Sequence, residues 1–230
     1  MNDSILPQLV KKDLLLWRRL ILVFYGVALG CMALTGLLCA LVPNRVVLMN
    51  LGFTLLITPT GTLGIALLMQ TNVFEKTKST QPFIMSLPVT VREFTLAKLL
   101  VNVSVFGALW LVTTATAFSY ALGLELLPWG AIPMMTMVFL SIFVAYTGIL
   151  GVSLLSQSLG VTILSIAFFE IGTHIYVWAI GLLEPIGSHV FGPVAVWNGT
   201  AIAVVTAQAL LAVAAIVATL MIQTRRRDFV

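Results

Sequence analysis

Long uncharged runs dominate this chain. Residues 20–44, 46–74, 99–124, 126–169, 171–183 and 185–224 contain no Asp, Glu, Lys or Arg. About 20 apolar residues carry a helix across the roughly 30 Å hydrocarbon core of a bilayer, and a helix satisfies its own backbone polar groups there. Charged residues are 9% of the 230 and hydrophobic ones 60%, whereas a soluble domain carries about 25% charge. The polar surface needed to dissolve a globule is missing. The expected fold is therefore an all-α integral membrane protein, a single transmembrane domain over residues 1–230.

The run from residue 126 is long enough for more than one crossing, and Ser156-Gln157-Ser158-Leu159-Gly160 is its dense polar interruption. Turning the chain there gives six spans, near 20–42, 47–70, 97–123, 132–155, 161–183 and 200–223. The first is too long for the apolar region of a cleaved leader and reads as a retained span. An even number places both termini on one side, and the basic residues choose which. Lys11, Lys12, Arg18, Arg19, Lys76, Lys78, Arg92, Lys98, Arg225, Arg226 and Arg227 fall on that side, and Arg45 alone on the other. Cytoplasmic flanks carry the excess of Lys and Arg, so both ends are expected in the cytoplasm, in a cell inner membrane. Pro128-Trp129 and Trp197 then occupy outer loops, at the water–lipid boundary that tryptophan favours. The net charge of +4 reports topology and contact with anionic lipid rather than nucleic acid. Cys31 and Cys39 are eight residues apart on one helix, too far to pair.

Three segments stand out for function. Residues 5–19 place Leu6, Leu9, Val10, Leu14 and Trp17 on one helical face, with Gln8, Lys11, Lys12, Arg18 and Arg19 largely opposite. That pattern predicts an interfacial helix lying along the cytoplasmic leaflet. The connection between the second and third spans, residues 71–92, opens on Glu75-Lys76 and then carries Phe83, Ile84, Met85 and Leu87 before Pro88. Apolar side chains in a short cytoplasmic loop call for a covering surface, such as a partner protein. Within the fifth span, Glu170 and His174 lie four residues apart and so share a helix face. An ionisable pair at that depth marks a transport pathway or a buried helix–helix contact.

The acidic–basic pair closing the second span, the segment ending Ser86-Leu87-Pro88-Val89, the Arg92-Glu93-Phe94 and Lys98 entering the third, and the closing Arg225-Arg226-Arg227-Asp228 resemble the permeases of ABC-2 type transporters. That resemblance implies the transmembrane subunit of a type V ABC exporter. Two permease subunits, identical or homologous, would work with two copies of a cytoplasmic ATPase that binds ATP and magnesium. The loop residues Glu75, Lys76, Phe83, Ile84, Met85, Leu87 and Pro88 would form a coupling helix docked on the ATPase. The interfacial residues would be Lys11, Lys12, Trp17, Arg18 and Arg19, and the substrate-pathway candidates Glu170 and His174. Cargo of this family is usually amphiphilic: a peptide, lipid or drug.

The chain carries no G-x-x-x-x-G-K-[ST] phosphate loop and no H-E-x-x-H zinc motif. No enzymatic activity, cofactor or metal is therefore expected in this polypeptide, and any ATP-driven step falls to another one. The competing reading is a proton-coupled secondary transporter that uses Glu170 and His174 as its relay.

Overall fold

The computed structural model describes residues 5–75 and 89–225, and these are helical almost throughout. Six helices are long and apolar enough to span a bilayer. They are α1 (Leu6–Leu41), α2 (Arg45–Leu68, prolonged by a π-helical turn Met69–Phe74), α3 (Val91–Gly123), α4 (Ile132–Ser156), α5 (Leu159–Leu182) and α6 (Gly199–Arg225). The six spans read from the sequence thus each correspond to a helix, the uncharged run 126–169 dividing between α4 and the first half of α5, which makes this a multi-pass membrane protein. The turn expected at Ser156–Gly160 is present. Gln157 closes α4 in the left-handed region at φ 47°, and Ser158 precedes α5.

The amino-terminal segment departs from expectation. Residues 6–19 form no separate helix along the leaflet but continue into the first span as one helix of 36 residues, about 54 Å long at the usual rise. The physical reason lies in its side chains. Leu9 and Asp13 are buried, and Leu9 packs with Phe94 and Ala97 of α3. Contacts with α3 therefore hold this segment upright against the bundle. Trp17, assigned to the lipid-facing stripe, packs instead against the core formed by α1, α2 and α3.

The third span also begins earlier than residue 97, at Val91. A capping box accounts for this: the Thr90 hydroxyl accepts from the Glu93 N–H at 3.2 Å, while the Glu93 carboxylate accepts from the Thr90 N–H at 3.0 Å. Both bonds satisfy donors that a helix start leaves open.

Two sub-bundles share a core. α1 packs on α2 and α3, and α4 packs on α5 and α6, with α3 bridging to α4 and α6. Side chains bonded to neighbouring main chains tie the helices where no water competes. Tyr25 and Tyr120 reach from α1 and α3 to the Val105 and Met32 carbonyls at 2.8 and 3.0 Å. Trp110 and Gln208 bond the Phe139 and Met137 carbonyls of α4 at 2.8 and 2.9 Å. Small residues on α4 permit the close approach. A Cβ at Gly148 would lie 2.4 Å from the Phe169 ring, and one at Gly151 would lie 2.6 Å from Thr219 Oγ1. A Cβ at Gly26, Gly30 or Gly61 would instead meet nothing within 4 Å.

The connection from α5 to α6 makes one helical turn, Glu184–Gly187, and then folds against the start of α4. Gly130 N–H donates to the Gly192 carbonyl at 3.0 Å. Trp129 and Trp197 are exposed at this end, as an interfacial belt requires.

Candidate functional site

The first candidate lies where α1, α2 and α3 meet on the side of the basic residues. Lys98, 2% exposed at its side chain, is held between two carboxylates. Its Nζ donates to Asp13 Oδ2 of α1 at 2.8 Å and to Glu75 Oε2 just beyond the π-helical turn. Lys12, more open, donates to Glu75 Oε1 at 2.8 Å. It also lies 3.1 Å from Asp13 Oδ1, an ion pair without hydrogen-bond alignment. The Phe94 ring stacks under the Lys98 ammonium at 5.4 Å, adding a cation–π contact.

Two cations and two anions cancel in this cluster. Balance is what makes the burial tolerable, because removing one member of a buried pair leaves an uncompensated charge. The π-helical turn helps to assemble it. Met69–Phe74 brings Thr71 and Asn72 into the interior just ahead of Glu75, and π turns recur where a helix must re-aim side chains. A polar layer continues inward from the ions. Asn102 Nδ2 donates to the Lys98 carbonyl at 2.9 Å and to Thr71 Oγ1 at 3.0 Å. Asn72 Nδ2 donates to Ser153 Oγ at 3.3 Å, and Tyr146 OH donates to Asn102 at 3.3 Å.

The second candidate is a groove of about 210 Å3 where α2 and α5 flank α4. Phe53 and Ile57 line it from α2, Phe106 from α3, Tyr146 from α4, and Glu170, His174 and Trp178 from α5. Glu170 is twelfth in a helix of 24 residues, so it lies at mid-depth, and both it and His174 are exposed. The two do not pair through their side chains. His174 Nδ1 lies 2.8 Å from the Glu170 carbonyl oxygen. A carbonyl only accepts, so in the neutral ring Nδ1 carries the hydrogen and Nε2 is left as an acceptor. An apolar cavity of about 340 Å3 adjoins on the outer side, and Phe53, Val138 and Val177 line both.

The residues singled out beforehand thus divide. Glu75 turns into the bundle, and Lys12 turns with it, away from the leaflet. Lys11, Arg18 and Arg19 stay exposed. Lys76, Phe83, Ile84, Met85, Leu87 and Pro88 lie outside the described residues. Glu170 and His174, four residues apart on α5, both line the groove. Asp13 and Lys98 were missed as site residues. Their signal was present: Asp13 follows Leu9 by four and Lys98 follows Phe94 by four, which puts each charge on an otherwise apolar face. No family model, curated protein or solved structure matches this chain.

Proposed function

We propose that this chain is the membrane-spanning subunit of an exporter driven by a separate ATPase, of the kind to which ABC-2 type permeases belong. The observation that carries the reading is the buried charge cluster. Glu75 immediately precedes segment 76–88 and Lys98 lies on α3 after it, so the helices on either side of that segment are joined to one another and to Asp13 of α1. A force applied to the loop by a cytoplasmic motor would reach three helices through one buried lysine. The apolar Phe83, Ile84 and Met85 supply the docking surface for such a motor.

Assembly with a second permease subunit has support in α5, which packs on α4 and the short turn after it and leaves its other face open. Leu164, Phe168, Ile171, Ile175, Trp178 and Leu182 are exposed there at alternating steps of four and three residues, the seam spacing of paired helices. In this reading the protein sits in an inner membrane with both termini cytoplasmic, and ATP and magnesium bind the partner. The proton-relay alternative has less support, since His174 engages the main chain rather than the Glu170 carboxylate.

Co-purification tests the proposal. The chain, expressed with an ABC-type ATPase from a neighbouring gene of its own genome, is expected to retain that ATPase in mild detergent. The Phe83→Ser, Ile84→Ser, Met85→Ser triple variant should insert normally and lose it. Retention by the triple variant would remove the docking assignment, and absence of any retained ATPase with the unaltered chain would remove the motor reading.

A further inference from the structure

The groove beside Glu170 has a chemical character that narrows what it can hold. Its lining is aliphatic and aromatic apart from Glu170, Thr173, His174 and the Tyr146 hydroxyl, and no Lys or Arg is among the lining residues. Tyr146 OH is already bonded to Asn102. The buried ammonium groups are committed as well, Lys98 and Lys12 both being held by Asp13 and Glu75. Among the described residues the Glu170 carboxylate is therefore the groove's one anionic group, at a depth where an isolated charge is expensive. With His174 Nδ1 donating to the Glu170 carbonyl, Nε2 of the neutral ring would be a second acceptor beside it. Aromatic faces complete the site, with Phe106 and Tyr146 stacked at a centroid separation of 3.7 Å and Phe53 and Trp178 on the flanking helices.

We propose that this groove is a binding site for a hydrophobic organic cation, whose charge is neutralised by Glu170 and whose apolar body lies against the aromatic rings. Three features select this class over others. An anion would meet the carboxylate with nothing to oppose it. A neutral hydrocarbon would leave the carboxylate uncompensated. A cation with apolar substituents satisfies both the charge and the walls, and aromatic faces attract cations most strongly where water is excluded. The adjoining outer cavity, sharing Phe53, Val138 and Val177 with the groove, gives room for an apolar tail directed outward.

The inference rests on reading Glu170 and His174 as part of a transport pathway, and it narrows the cargo from amphiphiles in general to cationic ones. Binding needs no motor, so the two readings can fail separately.

The test uses the whole chain in a non-ionic detergent and two probes of nearly equal size and opposite charge, tetraphenylphosphonium and tetraphenylborate, followed by calorimetry. The phosphonium is expected to bind saturably and the borate not to compete. Glu170→Gln should weaken the phosphonium about ten-fold or more, the loss of one charge-assisted contact. Gly61→Phe gives an independent check, because a side chain there meets open space at the groove wall. It should reduce binding by occupying the groove while Glu170 stays intact. Glu184→Gln, at the outer turn, should bind as the unaltered chain does. No saturable phosphonium binding, equal binding of both ions, or unchanged affinity in Glu170→Gln would each overturn the cation site. None of those results would alter the ATPase co-purification outcome, and loss of the ATPase would not alter phosphonium affinity.

Discussion

Lys98 is the residue whose neighbours explain most about the basic end of the bundle. Replacing it by Met keeps the length of the side chain but leaves Asp13 and Glu75 with Lys12 as their shared cation, an imbalance that costs about 3–5 kcal/mol when buried. Lys98→Met should therefore melt well below the unaltered chain in detergent. The double variant Asp13→Asn, Lys98→Met restores balance, leaving Glu75 paired with Lys12, and should recover most of the loss. Equal melting of Lys98→Met and the unaltered chain would show that the cluster contributes nothing to stability. The partners of Lys98 were not legible in advance, for a physical reason. Asp13 and Glu75 are 62 positions apart in the chain, and helical periodicity reports which face a residue occupies, not which distant helix faces it. Glu170 and His174 were legible because four residues on one helix already define a shared face.

Helices themselves were far easier to read than their ends or their tilt. Each of the six spans read from the apolar runs is a helix because the bilayer leaves the backbone no other solution at that length. What the pattern of residues 5–19 did not distinguish is a helix lying on a membrane from one standing against another helix, since both need one apolar face. Contact of Leu9 with Phe94 and Ala97 decides it, and that is tertiary. The start of α3 is a local matter that short-range chemistry controls. The Glu93 carboxylate accepts from both the N–H and the hydroxyl of Thr90, closing the first turn. Thr90→Ala should accordingly raise amide exchange in the first turn of α3, at a cost of about 1 kcal/mol to the helix start. Unchanged protection in the variant would mean that packing of Phe94 and Ala97, not the cap, fixes where α3 begins.

At the scale of the whole molecule, orientation links every functional statement to a side of the membrane. Basic side chains near the ends of α1, α3 and α6 occur at one end of the bundle, and the exposed Trp129 and Trp197 at the other. The positive-inside rule assigns the basic end to the cytoplasm. On that assignment the charge cluster lies at the cytoplasmic end, where the proposed motor would act, and the apolar cavity beyond the Glu170 groove lies toward the opposite end. Reversed, the same cluster would lie where no ATP is present, and the motor reading would fail with it. Cysteine labelling decides between the two. With Cys31 and Cys39 replaced by Ser, a cysteine is placed at the exposed Gln8 or at the exposed Ser188, and intact cells are treated with a membrane-impermeant maleimide. Ser188→Cys should label in intact cells, and Gln8→Cys only after permeabilisation. The opposite pattern would invert the molecule and with it the side from which both the charge cluster and the groove are reached.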